Sequence, residues 1–144
     1  MIAAIDLVRR VILADATIAA ELGGRIYPLK LPQNSAYPAA TLQLIATTRR
    51  GHLRGPGGLS APLYQLDVWT QEKDAATGFK RARELAERIR QAIDGYTAIL
   101  EDATSGDRVR VSVLFADARD DFEPDVNGGY YRISTDYTIW NQHL

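Results

Sequence analysis

The chain has no cysteine. Disulfides, thiolate metal sites and a cysteine nucleophile are therefore excluded. Imidazole is scarce too, with only His52 and His143 available as ligand or base. A histidine-based site needs a partner at fixed distance and a rigid frame. His52 lies in a glycine-rich stretch with no carboxylate at fixed spacing, and His143 is the penultimate residue, where chains fray. An excess of one charge is also missing. Lys+Arg number 17 and Asp+Glu 18, a formal net charge of -1. That removes the global basic signature of a chain whose main work is gripping nucleic acid, though not a local basic patch. No apolar run approaches the length of a membrane span. The opening MIAAIDLVRRVILADA carries Asp6, Arg9 and Arg10 in its middle, whereas a secretory leader is charged before its apolar region. We expect an amphipathic helix of a protein made and kept in the cytoplasm. Gly-x-Ser-x-Gly, His-x-x-x-His and dinucleotide fingerprints are absent as well. No catalytic, cofactor-binding or metal-binding residue is assigned, and the expectation is a protein without enzymatic activity.

What is present is periodic. At 144 residues the chain suits one domain, 1–144, with a real core. Ile2, Ile5, Val8, Ile12 and Ala16 fall at helical spacing. Asp15 followed by ATIAAEL predicts a second short helix, capped by Asp15 and stopped at Gly23-Gly24. RIYPLKLP is short and extended, and its prolines suit an edge. AATLQLIATT and PLYQLDVWTQ alternate as strands. Ala75, Ala76, Phe79, Ala82, Leu85, Ala86, Ile89 and Ile93 then mark a long helix ending at Gly95. On its wet face Glu84 and Arg88 stand four apart and are expected to pair. RVRVSVLF is a half-buried strand, EPDVNGGY a turn signalled by Asn127-Gly128, and YYRISTDYTIW a closing strand. The reading is an α+β domain. A mostly antiparallel or mixed sheet of about four main strands carries the long helix and the N-terminal helix on one face.

Three features invite a functional reading. RRGHLRGPGGLSAP, residues 49–62, is basic, glycine-rich and far longer than a hairpin turn requires. It is no P-loop, because the glycines lead into a strand and no Lys-Ser/Thr pair follows. Arg49, Arg50, His52 and Arg54 are either solvated or turned toward another molecule, and we expect a flexible arm that orders on contact. The second feature, the acidic ARDDFEPDV with Asp120, Asp121, Glu123 and Asp125, reads as a solvated loop, since it lacks the EF-hand pattern. The third is the mixed sheet face, where Trp69 and Trp140 lie with Tyr130 and Arg132 on or beside it. Such side chains are either covered locally or form a subunit interface, where Trp, Tyr and Arg are enriched.

Four blocks in order carry a resemblance. GGRIYP with LPQ and YPAATLQ, then GLSAPLYQLDVWTQ, then ARELAERIRQAIDGY, then DDFEPDVNGGYYRISTDYTIW together resemble the phage tail-completion family. Its members are also called tail terminators or tail-to-head joining proteins of long-tailed phages, prophages and gene transfer agents. The likeness runs from about Gly23 to Trp140. It places Asp67, Trp69, Tyr131 and Arg132 on family motifs as structural or interface positions. It implies a small α+β fold assembled as a homo-oligomeric ring, commonly a hexamer. The ring caps the head-proximal end of the tail tube, ends its polymerisation and meets the head connector or head-closure protein. DNA passes through the lumen without sequence-specific binding. The implied location is the head–tail junction of a virion, after assembly in the host cytoplasm, with no membrane and no cofactor. The interface candidates are Arg49, Arg50, His52, Arg54, Trp69, Tyr130, Arg132 and Trp140. A rival reading is a small nucleic-acid-binding module using the basic loop and the helix arginines Arg81, Arg83, Arg88 and Arg90.

Overall fold

The computed structural model describes residues 4–47, 49–52, 55–71, 75–123 and 129–144. Helix α1, Ala4–Leu13, buries Leu7, Val8 and Ile12, the stripe its spacing predicts. Helix α2, Ala16–Leu22, begins where Asp15 accepts hydrogen bonds from the amides of Thr17 (2.9 Å) and Ile18 (3.2 Å). It stops at Gly23, whose φ of 54° is left-handed and whose N–H reaches the Ala19 carbonyl, a turn that favours glycine. Helix α3, Ala75–Ile93, presents Ala82, Leu85, Ala86, Ile89 and Ile93 to the core. Its ion pairs differ from the expected Glu84–Arg88 contact. Glu84 pairs with Lys80 (3.7 Å), and Arg88 reaches across to Asp15 (3.4 Å). Arg88 thereby adds a charge partner to a carboxylate already fixed as a cap.

Six strands form the body of a curled, mixed sheet. They are β1 (Ile26–Pro28), β2 (Ala39–Ala46), β5 (Leu63–Thr70), β6 (Thr97–Glu101), β7 (Arg108–Glu123) and β8 (Tyr130–His143). Neighbours run β1-β2-β5-β8-β7-β6, with only β1 and β2 parallel. The α+β class holds, but six strands replace the expected four or so. One addition is β1, the short proline-bounded segment, which anchors the fully buried Ile26 opposite Ala40. The other is β6, too short for its alternation to show: Leu100 points inward while Thr97, Ile99 and Glu101 face water.

Two more strands, β3 (Arg49–His52) and β4 (Gly55–Ser60), correct the expectation of a flexible loop. They pair with each other as a hairpin that continues β2 and β5 outward. The hairpin is continuous with the body. Leu63 lies opposite Thr138, and Ser60 and Leu59 lie opposite Asn141 and Gln142, so β4 and β5 follow one register along β8. Between them Ala61-Pro62 interrupts the ladder, yet the Pro62 carbonyl still accepts from the Ile139 amide (2.9 Å). Glycine and proline disfavour strands locally, yet Leu59 and Ser60 continue the ladder on β8 and the rest of the hairpin pairs within itself. Arg54 lies outside the described residues, as does the expected Asn127-Gly128 turn.

The acidic stretch is corrected likewise. β7 runs for 16 residues through Asp117, Asp120, Asp121 and Glu123, each opposite a residue of β8. Asp125 lies outside the described residues. A register shift between Phe115 and Asp117 turns the later acids relative to the Val109, Val111, Val113 and Phe115 face. A period-2 reading therefore loses the strand at that bulge.

The helices cover one face of the sheet. Leu66, Val68, Ile133, Tyr137 and Ile139 meet α3 and α1 there in one buried cluster. The Tyr137 ring packs edge-on against Phe115, with centroids 5.9 Å apart.

Candidate functional site

The opposite face is the mixed one, and directly opposed residues share it. Ala39, Thr41 and Gln43 of β2 lie beside Trp69, Asp67 and Gln65 of β5. These in turn lie beside Arg132, Ser134 and Asp136 of β8, and then Asp121, Arg119 and Asp117 of β7. Both tryptophans and Arg132 stand on the face expected for them.

Its centre is polar yet shielded. Asp67 is 5% exposed, and Thr41 and Ser134 are buried with it. A buried carboxylate requires hydrogen-bond partners. Gln65 Nε2 donates to both Asp67 oxygens, at 2.9 and 3.1 Å. Gln65 Oε1 in turn accepts from Arg119 Nη2 (3.2 Å), and Arg119 makes a two-pronged pair with Asp136 (2.8 and 3.0 Å). Asp136 holds the Arg119 guanidinium firmly protonated, above its ordinary range. This fork-to-carboxylate geometry is the strong form of the contact.

Nearer the β7–β8 turn the face becomes aromatic. Trp69 Nε1 donates to Thr41 Oγ1 (3.1 Å). Arg132 lies over the Trp69 ring, 5.1 Å from its centroid, and also pairs with Asp121. Asp121 is held below the usual carboxylate range, first by the Phe122 amide and then by Arg132. Tyr130 packs on Tyr37 with centroids 5.4 Å apart. Tyr130, Arg132 and Trp69 therefore form one cluster, and Asp121 and Tyr37 are members that sequence reasoning missed. The Asp121 signal was present, an acid beside Arg132 in a hairpin register, but the turn length that sets this register was not.

Trp140 does not belong to that cluster. It faces Ser112, eight positions along β8 from Arg132, a separation of about 27 Å in an extended strand. Trp140 sits near the hairpin end instead. Arg49, Arg50 and His52 lie on β3 at that end, and their side chains fall outside the described residues. The sheet thus separates the seven described candidates into two groups at opposite ends.

A surface cleft of about 500 Å³ between α2 and α3 is lined by charged residues. Its cations are engaged: Arg81 with Glu21 (3.1 Å), Arg88 with Asp15. A third lining cation, Arg83, pairs with Asp120 (2.8 Å), and elsewhere on α3 Arg90 pairs with Glu87 (2.5 Å) and Asp94 (3.5 Å). Every helix arginine of the nucleic-acid reading is thus neutralised by a carboxylate. Among the described residues no group of three His, Cys, Asp or Glu is placed to hold a metal, and no helix is long and apolar enough to cross a membrane.

The family model for tail completion protein gp17 matches residues 6–142. The chain belongs to this tail completion family. The match takes in every strand of the body, apart from the last residue of β8. The fold of this tail completion chain also recurs among solved structures. It is similar to a chain in the structure titled virion of native gene transfer agent (GTA) particle. Identity there is 21%, with a TM-score of 0.64, covering 94% of this chain and 91% of that one. No curated protein sequence matches it.

Proposed function

We propose that this tail completion chain is a structural virion protein without catalytic activity. Copies assemble as a ring, a hexamer in our reading, on the head-proximal end of the tail tube. The ring stops tube polymerisation and offers its other side to the head connector, and DNA passes through the lumen unread. The protein resides at the head–tail junction after assembly in the host cytoplasm. The observation that carries this reading is the family match across 6–142. The gene transfer agent chain of the same fold comes from a virion particle, which agrees with it.

The chemistry of the chain suits such a role. Asp67, Gln65, Arg119 and Asp136 are bonded to one another across the mixed face, a network that stiffens the sheet. A head-to-tail ring requires two different patches on each subunit, and the two ends of the sheet supply different ones. The candidate contacts remain Arg49, Arg50, His52 and Trp140 at the hairpin end, Trp69, Tyr130 and Arg132 at the other, and Arg54, which lies outside the described residues. Electron cryo-microscopy of the parent particle tests the reading. The expected result is a ring of this chain between the last tube layer and the connector. Complete particles without it at that position would refute the assignment.

A further inference from the structure

Level by level, the register gives the sheet a second reading. Arg49 of β3 lies opposite Ser60 of β4, Ser60 opposite Asn141 of β8, Asn141 opposite Val111 of β7, and Val111 opposite Ala98 of β6. At this height the sheet is therefore β3-β4-β8-β7-β6, five strands wide. Each neighbouring pair is antiparallel, so four reversals leave β3 and β6 pointing the same way. Both are edges. Among the described residues β3 pairs only with β4, and β6 only with β7.

Exposed strand edges are templates for another chain unless they are blocked. Lower on the same side, β7 is blocked by carboxylates, one from the end of α3 and two of its own. Asp94 accepts from the Phe115 amide (2.9 Å), Asp117 from Ala118 (2.8 Å) and Asp121 from Phe122 (2.8 Å). No comparable cap is seen on β6 among the described residues.

The two edges also differ in charge. From Leu22 to Leu66 the sequence contains Arg25, Lys30, Arg49, Arg50 and Arg54 and no Asp or Glu. Across the sheet, β6 ends in Glu101 and its turn adds Asp107, with Arg108 of β7 opposite Glu101. Both acids are exposed and, among the described residues, in no ion pair. Each edge carries apolar surface too. Leu44 and Ile45 are 50% and 44% exposed at the base of the hairpin, and Ile99 is 48% exposed on β6.

We infer that copies of this chain join edge to edge, the basic β3 of one pairing in parallel with the acid-flanked β6 of the next. The occupant of each edge is a second copy, because one molecule carries both complementary halves at one height and in one direction. Such a contact is heterologous and propagates until it closes. Closure removes both free edges, as it does in a barrel. The inference rests on the ring reading above and specifies its seam.

The absence of cysteine makes the test clean. Within one chain the two edges stand about four strand spacings, roughly 19 Å, apart, too far for a direct link. Arg50→Cys and Ile99→Cys would be combined in one chain, particles assembled with it, and a short bismaleimide added. Arg50→Cys with Glu101→Cys provides a second pairing should the first variant fold poorly. The expected result is a ladder of covalent multimers with the paired variants and none beyond dimer with either single change. Chain present in the particles but no ladder from either pairing would overturn the edge-to-edge seam and leave the tail-completion role standing. Particles that assemble fully without the chain would overturn that role instead.

Discussion

Two aspartates illustrate how single residues fix this fold. Asp15 is held below its ordinary value of 3.8 first by the Ile18 amide, with Arg88 and Thr17 adding to it against the opposing cost of desolvation. Asp121 is lowered likewise by the Phe122 amide and Arg132. A carboxylate whose folded value is depressed contributes stability above its unfolded value and loses it as pH falls through the folded one. Thermal stability should therefore be flat from neutrality to about pH 5 and fall on further acidification. Asp15→Asn keeps the cap, since Asn accepts as Asp does, but it removes the titration. Combined with Asp121→Asn it should flatten the acid limb of a Tm-against-pH curve. An unchanged limb would mean that neither carboxylate matters to acid unfolding. Both residues were visible in the sequence to different degrees. Asp15 announced itself as a cap, because capping is local. Asp121 was read as solvated, because its partner is set by a long-range register.

At the scale of elements, α3 pins the helical layer to the sheet through a stripe that includes the fully buried Ile89. Ile89→Ala should cost about 2–5 kcal/mol, measured by urea unfolding. A loss below about 1 kcal/mol, under the cavity range for such a change, would show that the helix is less firmly packed than its burial indicates. The hairpin should behave in the opposite way. Removing Gly51–Gly58 spares Leu59 and Ser60, which pair with β8, so melting should shift by only a few degrees while tail joining fails. Infectious particles completed by the shortened chain would contradict a contact role for the hairpin. The elements also divide by how they were legible. Helices α1, α2 and α3 and strands β2, β5 and β8 could be read from period, caps and alternation. Strands β3 and β4 could not, because Gly and Pro argue locally against a strand and the contact of Leu59 and Ser60 with β8 is long-range. β6 is too short to show a period, and β7 hides its lower half behind a bulge and a run of acids.

For the whole molecule, the sequence carried the class, the helix-covered face and the polar-aromatic face with Trp69, Arg132 and Trp140 on it. It did not separate Trp140 from the other two, since distance along β8 follows from register. Nor did it show that the arginines of α3 are matched one by one with carboxylates. For Arg81, Arg83 and Arg88 the partners are distant in sequence, on α2, β7 and the cap of α2, and this pairing counts against the α3 face as a grip for nucleic acid.

The long, two-sided pairing of β8 has a mechanical consequence. β8 is bonded along one side to β7 and along the other to β5 and β4 in turn. Ladder bonds lie perpendicular to the strands, so tension applied along β8 loads all of them together in shear. Tension applied across the sheet would instead open them one at a time. Pulling single molecules between Leu59 and Tyr130 should thus require more force than pulling between Ile26 and Ile99. In the head–tail junction that we propose, the stiffer direction would run along the line from the hairpin to the start of β8.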